Sequence, residues 1–185
     1  PQEVAILART NAQLKGAEKA MLAQKIPYQV RNTERFFDRA DVKDFLFVTV
    51  SSGISHAFVI GGKPWAGATG EAIGFGITQI DNSQESPILE QFSSGLGLAR
   101  RYQKATGKDV TSAEIVFAQY EKDPIAKEII GSAAAVLGKS LAAMVDFLDP
   151  AKIVIGGGLW LGSDLYRTLV LASYEKNVTK RRKAP

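Results

Sequence analysis

Two short apolar runs separated by a polar bend lie in the middle of the chain. Residues 47–50 (FVTV) and 57–60 (AFVI) are rich in aromatic and β-branched side chains, which favour β-strands. Residues 51–56 between them are mostly polar, and Gly61-Gly62 closes the second run as a turn, so the pattern predicts a β-hairpin. Hydroxyls and a glycine at such a bend expose backbone N–H groups that suit a phosphate. An ordinary hairpin with a serine-rich tip fits the same pattern.

A third apolar run lies near the end of the chain and leads into three glycines. Residues 152–155 predict a buried strand, followed directly by Gly156, Gly157 and Gly158. A strand that ends in glycines before a helix is typical of the ligand-facing edge of an open α/β sheet. Any tight strand-to-helix turn also favours glycine, so the glycines alone do not identify a ligand.

Helical spacing dominates the segment between the hairpin and this last strand. Apolar residues recur every three or four positions over residues 125–148, which predicts a long core helix. Aspartate–proline pairs at 123–124 and 149–150 mark its start and its end. Thr111 and Glu114 form the pattern of a capping box. Shorter helices are predicted over residues 88–106, 111–122 and 164–177.

The first 46 residues alternate strand and helix on a smaller scale. Apolar runs at 4–7 and 26–30 predict strands, and helical spacing at 11–24 and 36–45 predicts helices. This βαβα segment is too short to bury a core of its own. Because the chain opens on Pro1 and not on methionine, we expect a processed protein or a piece of a longer one.

Composition and charge exclude several classes of function. Hydrophobic residues make up 45% of the 185 positions and charged residues 23%, with a mean hydropathy of −0.03, as in an ordinary globular protein. The chain has no cysteine, which excludes disulfides and thiolate metal sites. No apolar run is long enough to cross a bilayer, and we expect a cytoplasmic protein. Much of the net charge of +4 lies in the tail at 180–183, which favours a solvated end over a nucleic-acid contact.

Three motifs between residues 47 and 178 match one known pattern in order. They are FVTVSSGIS with the GG and GATG that follow it, then LEQFSSG, then MVDFLDPAKIVIGGGL. Together they resemble the ROK family (repressor, open reading frame, kinase) of sugar kinases and related regulators. The corresponding family runs read close to VTVSTGIGGG, LEAYASG and NLLDPEVIVIGGGV. The resemblance implies an α/β fold, the actin-like ATPase (ribonuclease H-like) lobe, with a mixed sheet flanked by helices.

The same resemblance assigns ligands to these motifs. The ATP-binding residues that it implies are Ser51, Ser52, Gly53, Gly156, Gly157 and Gly158. It also implies that Mg²⁺ accompanies the nucleotide. Glu90 maps onto a carboxylate that contacts the sugar in the family. A carboxylate in the first turn of a helix is also favoured by the helix dipole alone.

Other parts of the family's machinery are missing from the chain. Gly74 and Ile77 stand where most members have the sugar-binding glutamate and the zinc-binding histidine of AGEIGH, so we expect no zinc. The first phosphate loop (DxGGT) and the Asn-Asp pair that holds the catalytic base are absent. Asp38, Asp41 and Asp44 lie outside the family's motifs. We therefore assign no catalytic residue, and expect the chain to be incomplete or inactive as a kinase.

Residues 1–46 carry a second resemblance, to a different class of protein. The runs that carry it are RTNAQ (9–13), IPY (26–28), FF (36–37) and VKD (42–44). They match, in order, the second motor domain of UvrD/Rep-type DNA helicases. Ala8 stands in the position of the base-stacking tyrosine, and the chain has no GxxxxGK[ST] loop for phosphates. We interpret residues 1–46 as a helicase-like fragment without helicase activity, followed by a ROK-like lobe over 47–178 and a basic tail over 179–185.

Three functions follow from these resemblances, in order of preference. The first is an ATP-dependent hexose kinase relative whose partners are a small sugar and a nucleotide. The second is a non-catalytic ROK-type regulator or interaction lobe, for which a homodimer is a natural assembly. The third is a DNA helicase fragment. No membrane partner is expected, and the sequence leaves open which sugar is used and whether the two halves belong to one natural protein.

Overall fold

A computed structural model describes residues 44–72, 74–81 and 86–179 of the chain. The chain divides into two units, residues 1–36 and 37–185, and all of the described residues belong to the second unit. Residues 1–43 of the predicted βαβα segment and the basic tail beyond residue 179 lie outside the described residues. The helix predicted over residues 36–45 is wrong at its end, because Phe45 is the first residue of a strand.

Four strands of the described region form one mixed sheet in the order β3-β2-β1-β4. β1 (Phe45–Val50) pairs antiparallel with β2 (Ile54–Ile60), and β2 pairs antiparallel with β3 (Lys63–Trp65). β4 (Lys152–Gly156) lies on the other side of β1 and parallel to it. The predicted hairpin is confirmed, and both of its strands begin earlier than the apolar runs that predict them. The predicted mixed sheet is confirmed as well.

Helices cover the face of this sheet that carries Leu46, Val48 and Val50, and their apolar residues join these three in one core. The helices of the described region are α1 (Leu89–Ser93), α2 (Gly95–Thr106), α3 (Ala113–Phe117), α4 (Pro124–Leu148), α5 (Gly158–Gly162) and α6 (Asp164–Asn177). The central helix α4 packs most extensively against α6. Buried Tyr166 of α6 donates its hydroxyl to the Ser93 carbonyl oxygen at 2.7 Å, which ties α6 to α1.

The long helix α4 begins and ends where the sequence predicts. Asp123 caps it by accepting the Ile125 N–H at 2.9 Å, and Pro124 occupies its first turn. Asp149 ends it in the left-handed conformation, with φ of 48°. The buried residues at the predicted spacing are Ile129, Ala133, Leu137, Leu141 and Val145.

By length and apolar composition α4 could cross a bilayer, contrary to the expectation that no run is long enough. Half of its most apolar window is buried inside the described structure. A core helix passes the same test, because burial in protein and burial in lipid both select apolar side chains. Its packing against α6 and α2 is that of a core helix.

The single helix predicted over residues 88–106 is wrong, because Ser94 interrupts it in an extended conformation (φ −81°, ψ 170°). The Ser94 hydroxyl accepts the Gly97 N–H at 3.1 Å and so caps α2. The Gly95 N–H donates to the Ser51 carbonyl oxygen at 2.8 Å. The break therefore directs the start of α2 toward the hairpin bend.

Two smaller predictions are also corrected. The capping box of Thr111 and Glu114 is wrong, since Ser112 is the N-cap of α3, and the helix ends at Phe117 and not near residue 122. β4 is only partly buried, because the Val154 side chain keeps 38% of its exposure. Within the described sheet β4 is one of the two edge strands, and it pairs with β1 along one side only.

Candidate functional site

The candidate site lies where two parallel strands end at the same edge of the sheet. β1 runs into Ser51, and β4 ends at Gly156, which pairs with Thr49 in the ladder. Because parallel strands bring their carboxyl ends to one edge, the bends that follow them are neighbours. The Gly158 N–H donates to the Ser51 hydroxyl oxygen at 3.4 Å. The structure thus brings the bends at 51–53 and 156–158 side by side.

Gly157 lets the second bend pass close to the end of β1. Its φ is +102°, a value that side-chain-bearing residues rarely adopt. A Cβ atom at this position would also overlap the Val50 carbonyl oxygen. The backbone of the turn therefore packs directly on β1, with no side chain between them.

The first bend is fixed by its own backbone and by the start of α2. The Ser51 N–H donates to the Gly53 carbonyl oxygen at 2.8 Å. The Ser51 and Ser52 carbonyl oxygens accept the N–H groups of Gly95 and Leu96 at 2.8 and 3.3 Å. These bonds satisfy two of the free N–H groups at the start of the helix. The Ser52 residue is exposed, which leaves its hydroxyl open to a ligand.

Glu90 lies against the same bend from the side of α1. Its Oε2 atom accepts the Ile54 N–H at 2.8 Å, directly after Gly53. The Glu90 N–H donates in turn to the Gly76 carbonyl oxygen at 2.8 Å. A Cβ atom on Gly53 would come within 2.6 Å of the Glu90 carboxylate oxygen, so a side chain there would displace the carboxylate from its bond with Ile54. Sequence reasoning placed Glu90 near a sugar but missed this contact, which no local pattern encodes.

His56 faces the core side of β2, where the family pattern has a glycine. Its ring meets Phe75 edge-on, with centroids 6.0 Å apart and the planes at 73°. Its Nδ1 atom is buried and has no hydrogen-bond partner among the described residues. Burial lowers the pKa of His56, which favours the neutral ring. The side chain packs against Phe75 of the loop before α1, and we assign it no ligand.

Some of the residues weighed in the sequence do not reach the site. Asp44 precedes β1 at the end opposite the bends, and its Oδ1 atom accepts the Gly61 N–H at 2.7 Å. Gly74 and Ile77 lie in the loop before α1, where neither can supply a carboxylate or an imidazole. Across the described residues, no three His, Cys, Asp or Glu side chains cluster closely enough to hold a metal ion.

A mixed sheet whose parallel strands end in two adjacent glycine-rich bends, backed by helices, is the architecture of an α/β ligand-binding lobe. The model of the ROK family matches residues 31–185, and the chain belongs to this family. Residues 1–50 match a second family model, the UvrD-like helicase C-terminal domain. The two matches overlap over residues 31–50.

The curated relatives are sugar kinases, and this chain spans from a quarter to about half of their length. The bifunctional enzyme NanE/NanK of Brucella suis is 32% identical over 126 residues, covering 68% of this chain and 24% of that protein. The N-acetylmannosamine kinase of Shigella boydii is 30% identical over 129 residues, covering 65% of this chain and 43% of that protein. The chain is thus a relative of ROK sugar kinases.

Solved structures agree with this fold. A ROK hexokinase from Thermus thermophilus superposes with a TM-score of 0.66 at 26% identity, covering 73% of this chain and 48% of that one. A ROK glucokinase from Streptomyces griseus, in complex with glucose and AMPPNP, superposes with a TM-score of 0.63 at 21% identity. That match covers 91% of this chain and 64% of the glucokinase. The actin-like ATPase fold implied by the motifs is therefore confirmed.

Proposed function

We propose that residues 47–178 form the C-terminal, nucleotide-binding lobe of an ATP-dependent ROK hexose kinase. In this proposal the bend at 51–53 holds the phosphates of ATP, the bend at 156–158 lies against its adenosine, and Glu90 faces the sugar. One observation carries the proposal, namely the 3.4 Å contact between the Gly158 N–H and the Ser51 hydroxyl oxygen. Two glycine-and-hydroxyl bends at one sheet edge can hold one triphosphate between them.

The chemistry is transfer of the γ-phosphoryl group of ATP to a sugar hydroxyl. The bond from this group to the β-phosphate oxygen breaks, a bond to the sugar oxygen forms, and the hydroxyl proton passes to a base. Positioning and charge stabilisation dominate such a step, and this lobe would supply the positioning through exposed N–H and hydroxyl groups. Mg²⁺ would accompany the nucleotide, and we assign no residue of this chain to it. Because neither the DxGGT loop nor the Asn-Asp pair is present, we expect no turnover by this chain alone.

Location, partners and boundaries belong to the same proposal. We place the protein in the cytoplasm with a small sugar and a nucleotide as partners, and a homodimer is compatible with this arrangement. Residues 1–46 would be a helicase-like segment without motor activity, and residues 179–185 a basic tail. The coding DNA across residues 40–46 would show whether the two halves form one natural protein.

Calorimetric titration of the 185-residue chain with MgATP tests the proposal. We expect saturable binding, and Ser52→Ala should weaken it about threefold to tenfold because a hydrogen bond to phosphate is lost. Ser55→Ala is the matched control, since this serine is exposed on β2 beyond the bend. Absence of saturable binding by a folded chain would refute the nucleotide assignment. Sugar phosphate formed from a hexose panel would refute the expected inactivity.

A non-catalytic interaction lobe is the second candidate. Gly74 and Ile77 in place of the family's glutamate and histidine favour it, because both side-chain groups that would contact a sugar or a metal are lost. Self-association in sedimentation experiments together with no affinity for MgATP would support this candidate over the kinase relative. A helicase fragment would instead require ATP hydrolysis that DNA stimulates.

A further inference from the structure

The Glu90 carboxylate, which the proposed function assigns to the sugar, also bonds to the backbone next to the bend. Its Oε2 atom accepts the Ile54 N–H at 2.8 Å, across 36 positions of the sequence. Ile54 is the first residue of β2, so this bond fixes the point at which the bend rejoins the sheet. Hydrogen bonds to a carboxylate are stronger than those between neutral groups.

The backbone of Glu90 is held in place as well. The Glu90 N–H donates to the Gly76 carbonyl oxygen at 2.8 Å, and a Cβ atom on Gly76 would overlap the Ile54 carbonyl oxygen. The loop at residue 76, the start of β2 and the first turn of α1 therefore meet around one side chain. Since a carboxylate has acceptor sites on both oxygens, Oε1 is left to accept a ligand hydroxyl while Oε2 holds Ile54.

We propose that Glu90 is a positioning residue, whose carboxylate sets the shape of the 51–53 bend and thereby its fit to a triphosphate. The inference rests on the proposed function for its ligand and deepens it. A hydroxyl bound at Oε1 would bias the orientation of the group that holds the bend. Binding on the sugar side and binding on the phosphate side would then influence each other to the same extent.

Hydrogen exchange at the Ile54 amide tests the positioning contact directly. Glu90→Gln keeps an acceptor of the same size, so the Ile54 amide should stay largely protected and exchange only modestly faster than in the wild type, because the neutral bond is weaker. Glu90→Ala removes the acceptor and should speed exchange about tenfold or more. Gln91→Ala, at the exposed neighbouring position of α1, should leave the rate unchanged. Equal rates in Glu90→Ala and wild type would overturn the proposal.

A double-mutant cycle with Gly53 tests the same contact independently. Gly53→Ala should lower the melting temperature, because its Cβ atom would come within 2.6 Å of the Glu90 carboxylate oxygen. The same substitution should lower it much less in a Glu90→Ala background, where the obstructing atoms are gone. An identical shift in both backgrounds would show that Glu90 does not determine the backbone at Gly53.

Titration with MgATP separates this inference from the proposed function. We expect Glu90→Gln to retain the wild-type dissociation constant and Glu90→Ala to raise it about tenfold, a pattern that loss of charge alone would not produce. Equal weakening in both variants would overturn the positioning role. If the wild-type chain binds no MgATP, the proposed function fails and the ligand part of this inference falls with it. The exchange rates and the Gly53 cycle still decide whether Glu90 sets the bend.

Discussion

Two independent constraints act on Gly157. Its φ of +102° disfavours any side chain, and the Val50 carbonyl oxygen occupies the space where a Cβ atom would lie. We expect Gly157→Ala to lower the free energy of unfolding by about 2 kcal/mol or more, measured by urea denaturation. Alanine would have both an unfavourable φ and an overlap with the Val50 carbonyl oxygen, so both effects should contribute to the loss of stability.

Gly131→Ala provides a matched control for this substitution. Gly131 lies inside α4, and a Cβ atom there would meet nothing within 4 Å. Alanine should therefore raise the free energy of unfolding by about 0.5–1 kcal/mol through helix propensity. Similar destabilisation by both substitutions would show that the turn at residue 157 is not under the constraint described.

At the same scale, the Asp123 carboxylate makes the free energy of unfolding depend on pH. The buried Tyr102 hydroxyl donates to Asp123 Oδ2 at 2.6 Å, and this bond, with the Ile125 N–H, holds the pKa of Asp123 below its usual range. A depressed pKa in the folded state gives stability that is present above the unfolded pKa of about 4. That stability is lost as the pH falls through the folded value.

In Asp123→Asn, the urea midpoint of unfolding should therefore fall less between pH 7 and pH 3 than it does in the wild type. Tyr102→Phe should reduce this fall in the same way, because the phenol is the main cause of the low pKa of Asp123. Gln103→Ala, exposed on the same helix, should keep the wild-type slope. A wild-type slope in both test variants would contradict this account.

At the scale of elements, Arg101 connects three helices. It lies on α2 and donates to the carbonyl oxygens of Phe92 at 3.1 Å and Ile129 at 3.3 Å, and to the Ser132 hydroxyl at 2.7 Å. Its guanidinium carbon lies 3.7 Å from the centroid of the Phe92 ring. Burial lowers the pKa of Arg101, yet a guanidinium remains charged at any ordinary pH. One planar cation thus links α1, α2 and α4 through three hydrogen bonds and one ring contact.

Arg101→Lys should lower the free energy of unfolding by about 2 kcal/mol, because an ammonium group cannot reproduce the fork of donors or the stacking on the ring. Arg100→Lys, at the exposed neighbouring position, should change it by less than about 0.5 kcal/mol. Chemical denaturation of the two variants measures the difference. Full stability of Arg101→Lys would show that charge alone is sufficient at this position.

The elements that the sequence predicts well are those whose signals are local. α4 follows from apolar spacing bounded by aspartate–proline pairs, and the hairpin from two apolar runs around a polar bend. The break at Ser94 could not be predicted in this way, because the Gly95 N–H bonds to the Ser51 carbonyl oxygen far away in the sequence. Tertiary contact there overrides helix propensity.

In the candidate site, too, some features have local sequence signals and others depend on tertiary contacts. The glycines at 156–158 indicate a tight turn from the local sequence alone. Their assignment to a nucleotide comes from the resemblance to the family motifs. The bond from the Ile54 N–H to Glu90 has no local signal, since any carboxylate within reach could accept it. What remains a prediction is the ligand, because a bend can be read from sequence but its occupant cannot.

At the scale of the whole molecule, the strand pairing β1–β4 has a consequence for synthesis. Ser51 and Gly158, which meet at the site, are 107 residues apart in the chain. On the ribosome, β1 and β2 emerge early and can form their hairpin at once, while β1 waits for its parallel neighbour. Nascent chains that stop before residue 152 would therefore contain the whole hairpin and α4. They would lack β4 and the bend at 156–158. The two bends can therefore meet only after residue 158 has been synthesised, and a chain that stops before that residue lacks the contact between Ser51 and Gly158.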